Sequence, residues 1–211
     1  MSDEDLEFPR DPASLADDVE VEAESDALAP SELDPETRAR RDAALRLVRK
    51  FGDPVLRAKA LPVERFDADL AQEAESMGRL MHDALGIGLA ATQLGILHRM
   101  LVYQAYVDDP VTVLVNPEIE WRSEEKEPGP EGCLSLPGVH VEVERHAAVR
   151  VRAKNVTGAE IEIDAEGLEA RVIQHEIDHL DGILVLDRID REARKEAMRA
   201  MREAQRTPSA A

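Results

Sequence analysis

The spacing of apolar and polar positions changes several times along the chain, and each change marks an element. From Asp67, a residue suited to an N-cap, Leu70, Ala74, Met77, Met81 and Ala84 recur at three- and four-residue steps. That spacing predicts an amphipathic helix ending near Gly86 with its apolar stripe in the core. Runs at 99–104 (RMLVYQ), 111–115 (VTVLV) and 117–122 read as short β-strands, the first two heavy in Val and Leu. A Gly/Pro-rich stretch at 127–132 reads as a loop. Alternation resumes in 139–146 (VHVEVERH), 148–155 (AVRVRAKN) and 159–167 (AEIEIDAEG), the pattern of antiparallel strands with one wet face. Residues 167–180 return to a helical period and carry two histidines, and 190–206 form a helix rich in Arg, Lys, Glu and Ala. Residues 38–50 fit either a short helix or the approach to a strand, closed by Gly52-Asp53-Pro54. Together these elements predict an α+β fold.

Charge divides this picture into parts. Of the formal −19 carried by 211 residues, positions 1–36 hold −13, from fourteen Asp/Glu against Arg10 alone, which leaves −6 for the remaining 175. An acidic stretch with four prolines and few large apolar residues cannot bury enough surface to fold by itself. The expectation is an acidic, disordered arm over 1–42, one folded domain over 43–189, and a C-terminal helix with a short tail over 190–211. The arm is opposite in sign to an Arg-rich transit peptide and lacks the basic start and apolar run of a secretory signal, so a cytoplasmic location is expected. No apolar stretch approaches the roughly 18 residues of a membrane span. Internal repeats, a Gly-rich phosphate loop and zinc-knuckle spacing are all absent from the sequence, so neither nucleotide nor specific DNA binding is expected.

The chemistry concentrates in QHEIDHLDG (174–182). On a helix, His175 and His179 project from one face a turn apart, a spacing that can grip one ion, with Glu176 beside the first of them. A glutamate there need not bind metal; it can move a proton between water and a leaving amine. The bland alternative is a chance match, since the chain has six histidines. A catalytic site of this kind needs a third donor and an open position. The H-x-x-G-x-x-H continuation of one zinc-protease class is missing, which leaves Asp187, Asp190 or the single cysteine, Cys133, in EGCLSLPG. A thiolate is the stronger donor, although a lone cysteine is as readily a small buried hydrophobe.

Three segments in this order, GIGLAATQ (86–93), EGCLS (131–135) and QHEIDHLDG (174–182), resemble the signature motifs of the peptide deformylases, and the resemblance runs from about Arg49 (RKFGDPVLR) through the last helix. It implies antiparallel β-sheets packed around a central helix that carries the H-E-x-x-H motif, with 43–189 as the catalytic domain. The implied metal ligands are Cys133, His175 and His179, with water as the fourth and Glu176 as the catalytic acid/base. The implied ion is Fe(II), replaceable by zinc, nickel or cobalt; donor chemistry alone suits zinc equally well. Gln93 and the N–H of Leu134 are implied to hold the developing oxyanion, a task suited to two fixed donors. Ile87 and Gly88 are implied to border the substrate groove, and Ile87, Glu131, Leu168 and Val172, with His175, a pocket for methionine. Leu168 and Val172 would serve equally as core. The implied substrates are N-formylmethionyl nascent peptides, and the C-terminal helix, with six bases against four acids, is similar to one that contacts the ribosome. A solvated helix laced with Glu/Arg pairs is the alternative.

Overall fold

The computed structural model describes residues 33–206. Helix α1 (Pro35–Leu47) starts where Asp34 accepts hydrogen bonds from the N–H groups of Glu36 and Thr37, with Pro35 in the first turn. The boundary expected at 42/43 therefore falls inside a helix. Acidic residues at 34 and 36 read as part of an unstructured arm, yet at a helix N-terminus they cap free N–H groups and face the positive end of the dipole. Residues 1–32 of the expected arm, and 207–211 of the tail, lie outside the described residues.

Helix α2 (Ala68–Asp83) is capped by Asp67, whose carboxylate accepts the Leu70 N–H, and it buries Leu70, Ala74, Met77 and Met81 as the spacing predicts. Next come β1 (Gly88–Ala90), a short 3₁₀ turn over Ala91–Leu94, β2 (Met100–Tyr103) and β3 (Thr112–Arg122). After them stand the hairpin of β4 (Lys126–Gly132) and β5 (His140–His146), then β6 (Ala148–Lys154) and β7 (Glu160–Glu166). Helix α3 (Gly167–Leu180) carries the paired histidines, and α4 (Arg191–Arg206) closes the chain. Five strands form one antiparallel sheet in the order β1-β2-β3-β6-β7, and β4-β5 stands apart as a two-stranded sheet.

Strand β2 explains how the layers meet. Met100 and Val102 pack with Leu89, Val115 and the α2 face, whereas Leu101 and Tyr103 pack with Val149, Val151 and the α3 residues Ala170, Val172 and Ile173. Because both faces of β2 are covered, every residue in it is buried and the sequence reads as a continuous apolar run. Strands β6 and β7 point Val149, Val151, Ala153 and Ala165 inward. On their outer face Arg150 pairs with Asp164, and Arg152 pairs with Glu118 and Glu120.

Two readings of the sequence need correction. The stretch 127–132 is strand β4, paired along its length with β5 from Lys126↔His146 to Gly132↔His140. Pro128 and Pro130 share one side of this strand, and a two-stranded sheet leaves each strand an edge where the missing N–H costs nothing. The runs 111–115 and 117–122 are one strand, irregular between Val115 and Glu118, where Asn116 takes φ +55°. There the Asn116 side-chain amide receives the Val63 N–H and donates to the Val63 carbonyl, holding the chain before α2 against the sheet.

Helix α3 ends in a Schellman motif: Ile183 N–H donates to the Asp178 carbonyl at 2.8 Å and Gly182 N–H to the His179 carbonyl at 3.1 Å. Gly182 sits at φ +73°, and a Cβ there would lie 2.6 Å from the Arg57 carbonyl oxygen. Glycine thus meets both the left-handed backbone and the close approach of the Pro54–Arg57 turn. Gly182→Ala is expected to destabilise by about 2 kcal/mol, the left-handed penalty plus strain against that carbonyl. The check is the midpoint of urea unfolding at an unchanged m-value.

Candidate metal centre

Helix α3 is buried along almost all of its length, from Ala170 to Leu180 with only Arg171 partly exposed. His175 and His179 leave it one turn apart, their ring centroids separated by 5.0 Å. The Cys133 sulfur comes from the end of β4, where the hairpin turns under the helix, and lies 3.2 Å from His179 Nε2. Donor atoms of Cys133, His175 and His179 all fall within 4.8 Å of one another. Of the three candidate third donors, Cys133 is the one that stands beside the histidines; Asp187 instead pairs with Arg57 and Arg194 and accepts the Leu184 N–H, and Asp190 caps the start of α4.

These residues fit a divalent transition metal. The set offers one soft sulfur and two imidazole nitrogens, the donors such ions favour. Burial pushes the Cys133 thiol up, but the charges and hydrogen bonds of His179 and His175 outweigh it and hold the thiol well below its ordinary range. The two imidazoles thus shift Cys133 toward the thiolate, the form that a metal requires. Among the described residues, the two buried side-chain atoms without a hydrogen-bond partner, Glu176 Oε2 and His179 Nδ1, both belong to this cluster. The unpartnered Glu176 oxygen beside the donor set fits a role toward a bound group, whereas His179 Nδ1 is the ring nitrogen other than the Nε2 that meets the sulfur.

Behind the donors lies a charged network. His175 Nδ1 is 2.9 Å from Glu131 Oε2, which turns the other ring nitrogen toward the cluster. The same carboxylate receives Arg145 through Nε (2.8 Å) and Nη2 (2.9 Å), and Arg171 Nη1 at 3.1 Å. Arg145 also donates to Asp178 at 2.6 Å, and Arg188 closes the group on Asp178. Burial raises the Glu131 carboxyl, but Arg145 and His175 more than offset it and bring it to about 2. Glu131 is therefore held by cations and in turn holds the His175 ring. Arg171 reaches β4 across Gly129, where a Cβ would come within 2.7 Å of its guanidinium.

The other expected residues gather around the same point. Gln93, 1% exposed, is aimed by the Ala90 N–H, which donates to its Oε1 at 2.8 Å. Its Nε2 then faces Cys133 Sγ at 3.9 Å and Ser135 Oγ at 3.4 Å. A Cβ on Gly88 would sit 2.5 Å from Glu176 Oε1, so the space this glycine leaves is filled by the glutamate itself. A Cβ on Gly86 would likewise lie 3.0 Å from Leu134 Cδ1. Ile87, Leu168 and Val172 belong to one apolar cluster beside the histidine helix.

Arg145, Asp178, Arg171 and Ser135 were not singled out by sequence reasoning. One signal was present: Arg145 occupies the apolar phase of VHVEVERH, in step with Val139, Val141 and Val143. A charge in a core register needs a buried partner.

The folded-state value of Glu131 lies below its ordinary 4.5, so its stabilisation is complete above pH 4.5 and is lost as pH falls toward 2. Glu131→Gln is expected to flatten acid unfolding in that window. At neutral pH it should cost about 3 kcal/mol, since Arg145 is left partly unpaired in the core. Denaturant titrations across pH check both effects.

Comparison with known proteins agrees with this geometry. The sequence profile of the polypeptide deformylase family matches residues 45–195. The peptide deformylase of Acidothermus cellulolyticus is 47% identical over 162 residues, which cover 77% of this chain and 88% of that protein. The one from Thermotoga neapolitana is 50% identical over 142 residues, covering 67% and 85%. Among solved structures, a peptide deformylase from Synechococcus elongatus in complex with actinonin superposes with TM-score 0.71 at 41% identity, covering 76% of this chain and 88% of that one.

Proposed function

The chain belongs to the polypeptide deformylase family and is an enzyme that hydrolyses the N-formyl group from the N-terminal methionine of newly synthesised polypeptides, and we propose the residue roles by which it does so. The observation that carries them is the convergence of Cys133, His175 and His179 beside a buried, unpartnered carboxylate oxygen of Glu176.

Cys133, His175 and His179 hold the single divalent ion, with Fe(II) as the family's usual choice and Zn, Ni or Co as substitutes. When bound, the ion polarises the formyl carbonyl and makes a neighbouring water more acidic. Glu176 takes a proton from the attacking water as the new C–O bond forms at the formyl carbon. Burial pushes this carboxyl up, which suits a group that must carry a proton and release it. The oxyanion of the tetrahedral intermediate accepts hydrogen bonds from Gln93 Nε2 and the Leu134 N–H. Glu176 then delivers its proton to the amine nitrogen as the C–N bond breaks, releasing formate and a free N-terminal methionine.

Ile87, Leu168 and Val172 supply apolar wall for the methionine side chain, and Gly86–Gly88 forms the bordering edge of the groove. Glu131 joins the pocket only through the histidine that it orients. Among the described residues no helix is long and apolar enough to cross a membrane, and a substrate that emerges from protein synthesis supports a cytoplasmic location. A zinc endopeptidase would share the paired histidines but has no need of Cys133, and the sulfur stands among the donors.

Formate release from formyl-Met-Ala-Ser by protein purified anaerobically and loaded with Fe(II) or Ni(II) is the direct test. Glu176→Ala at matched metal content should lose roughly 10³-fold in kcat, and Cys133→Ala should fail to retain metal. A fully metallated, folded wild-type chain that releases no formate would sink the reading.

We also propose ribosome contact through α4. Ala197 and Met201 seat this helix in the core with Val143 and Leu186, leaving Arg191, Arg194, Lys195, Arg199 and Arg202 exposed. Lys195–Glu192 and Arg199–Glu203 pairs screen part of that surface. Co-sedimentation with ribosomes is expected to fall steeply as salt rises; sedimentation that ignores salt counts against contact through these bases.

A further inference from the structure

The segment Arg49-Lys50-Phe51 runs between α1 and the Pro54–Arg57 turn, and its three residues reach the two loops on which the oxyanion donors sit. Arg49 N–H donates to the Gln93 carbonyl at 2.7 Å, and Phe51 N–H to the Ser135 carbonyl at 2.9 Å. Between them, the Lys50 ammonium donates to the Leu134 carbonyl at 2.9 Å. The Arg49 guanidinium also lies over Gly95, the left-handed residue ending the 91–94 turn, where a Cβ would come 2.9 Å from its Nε. One strap of chain thus holds both Gln93 and Leu134.

At Leu134 the attachment comes from a side chain. The orientation of the Leu134 N–H is set by the peptide plane it shares with the Cys133 carbonyl, and that carbonyl is fixed by the Leu136 N–H at 2.9 Å. The plane on the other side of Leu134 carries the carbonyl that Lys50 grips. With both planes pinned, rotation about the Leu134 Cα is suppressed and its N–H keeps one direction. Without Lys50 one pin is gone, and the donor can swing by the fraction of an ångström that matters for an oxyanion. The bond is charge-assisted and partly shielded from water, which makes it firmer than a neutral one.

We propose that Lys50 is a positioning residue for deformylation, acting through the Leu134 carbonyl to hold the Leu134 N–H on the developing oxyanion. This rests on the assignment of Leu134 N–H and Gln93 as oxyanion donors. The hydrogen bond of Lys50 is to main chain, and its charge also interacts with Cys133, an influence that the metal content and cobalt band below separate from positioning. Because the oxyanion exists only along the reaction path, loss of the pin weakens transition-state binding while leaving the substrate's ground-state contacts in place.

The test compares wild type, Lys50→Met, Lys50→Arg and Gln93→Ala as full-length, metal-loaded enzymes on formyl-Met-Ala-Ser. Bound metal per chain and the thiolate-to-cobalt absorption band of Co(II)-loaded protein are measured beside the kinetics. Lys50→Met is expected to lose roughly tenfold in kcat with KM changed less than about twofold, a smaller loss than deleting a donor outright. Its metal content and cobalt band should match wild type. Lys50→Arg, which keeps a cation able to reach the same carbonyl, is expected to recover most of the loss. Wild-type kcat in Lys50→Met while Gln93→Ala is slow overturns the role of Lys50 and spares the oxyanion assignment. Wild-type kcat in both variants overturns both. A Lys50→Met loss that tracks missing metal or an altered cobalt band, or that Lys50→Arg does not relieve, also overturns the proposal, because the lysine would then serve general integrity.

Discussion

The Glu131 carboxylate is the contact on which the rest of the structure depends. A carboxylate 6% exposed can remain ionised only if cations surround it, and Arg145, Arg171 and His175 do so. Those three partners come from two elements, Arg145 from β5 and Arg171 and His175 from α3. Meeting one charge therefore fixes the hairpin against the helix. Cys133 lies two residues beyond Glu131 on the same strand end, so the pairing that satisfies the carboxylate also delivers the sulfur to the histidines. Asp178 repeats the device from the helix side, drawing Arg145 and Arg188 to it.

Around that anchor, Glu176, Leu134 and Gln93 are seated closely against main chain. Glu176 occupies the room left by the missing Cβ of Gly88, and Leu134 packs in the room left by Gly86. Gln93 is oriented by a main-chain N–H three residues earlier, from Ala90. Main-chain groups are stiffer than long side chains, and a site that stabilises a transient charge gains from donors that need not reorganise. The glycines in these motifs are therefore matched to the neighbours that fill their space.

Much of the frame was legible in the chain. The α2 stripe, the alternation of β5 to β7, the helical histidines and the C-terminal helix follow from periods that local geometry imposes. Strand β4 was not, because Pro and Gly dominate it and its pairing is supplied by β5 rather than by its own propensity. The start of α1 was hidden for a related reason. Acidity reads as disorder in composition but as capping once a helix follows, and only the helix distinguishes the two.

The chemistry divides along the same line. The sequence by itself determined that two imidazoles share one helical face with a glutamate beside them, since a four-residue step on a helix leaves no other arrangement. It also supplied one cysteine in a turn, with Asp187 and Asp190 as competitors, and had no means of ranking them by distance. Tertiary structure set Cys133 and neither aspartate beside the histidines, paired Glu131 with His175, put Arg145 in the core, and brought Lys50 to the carbonyl of Leu134 across 84 positions of chain. These are pairings between elements remote in sequence, set by the need to neutralise buried charge and satisfy buried carbonyls, and no local period records them.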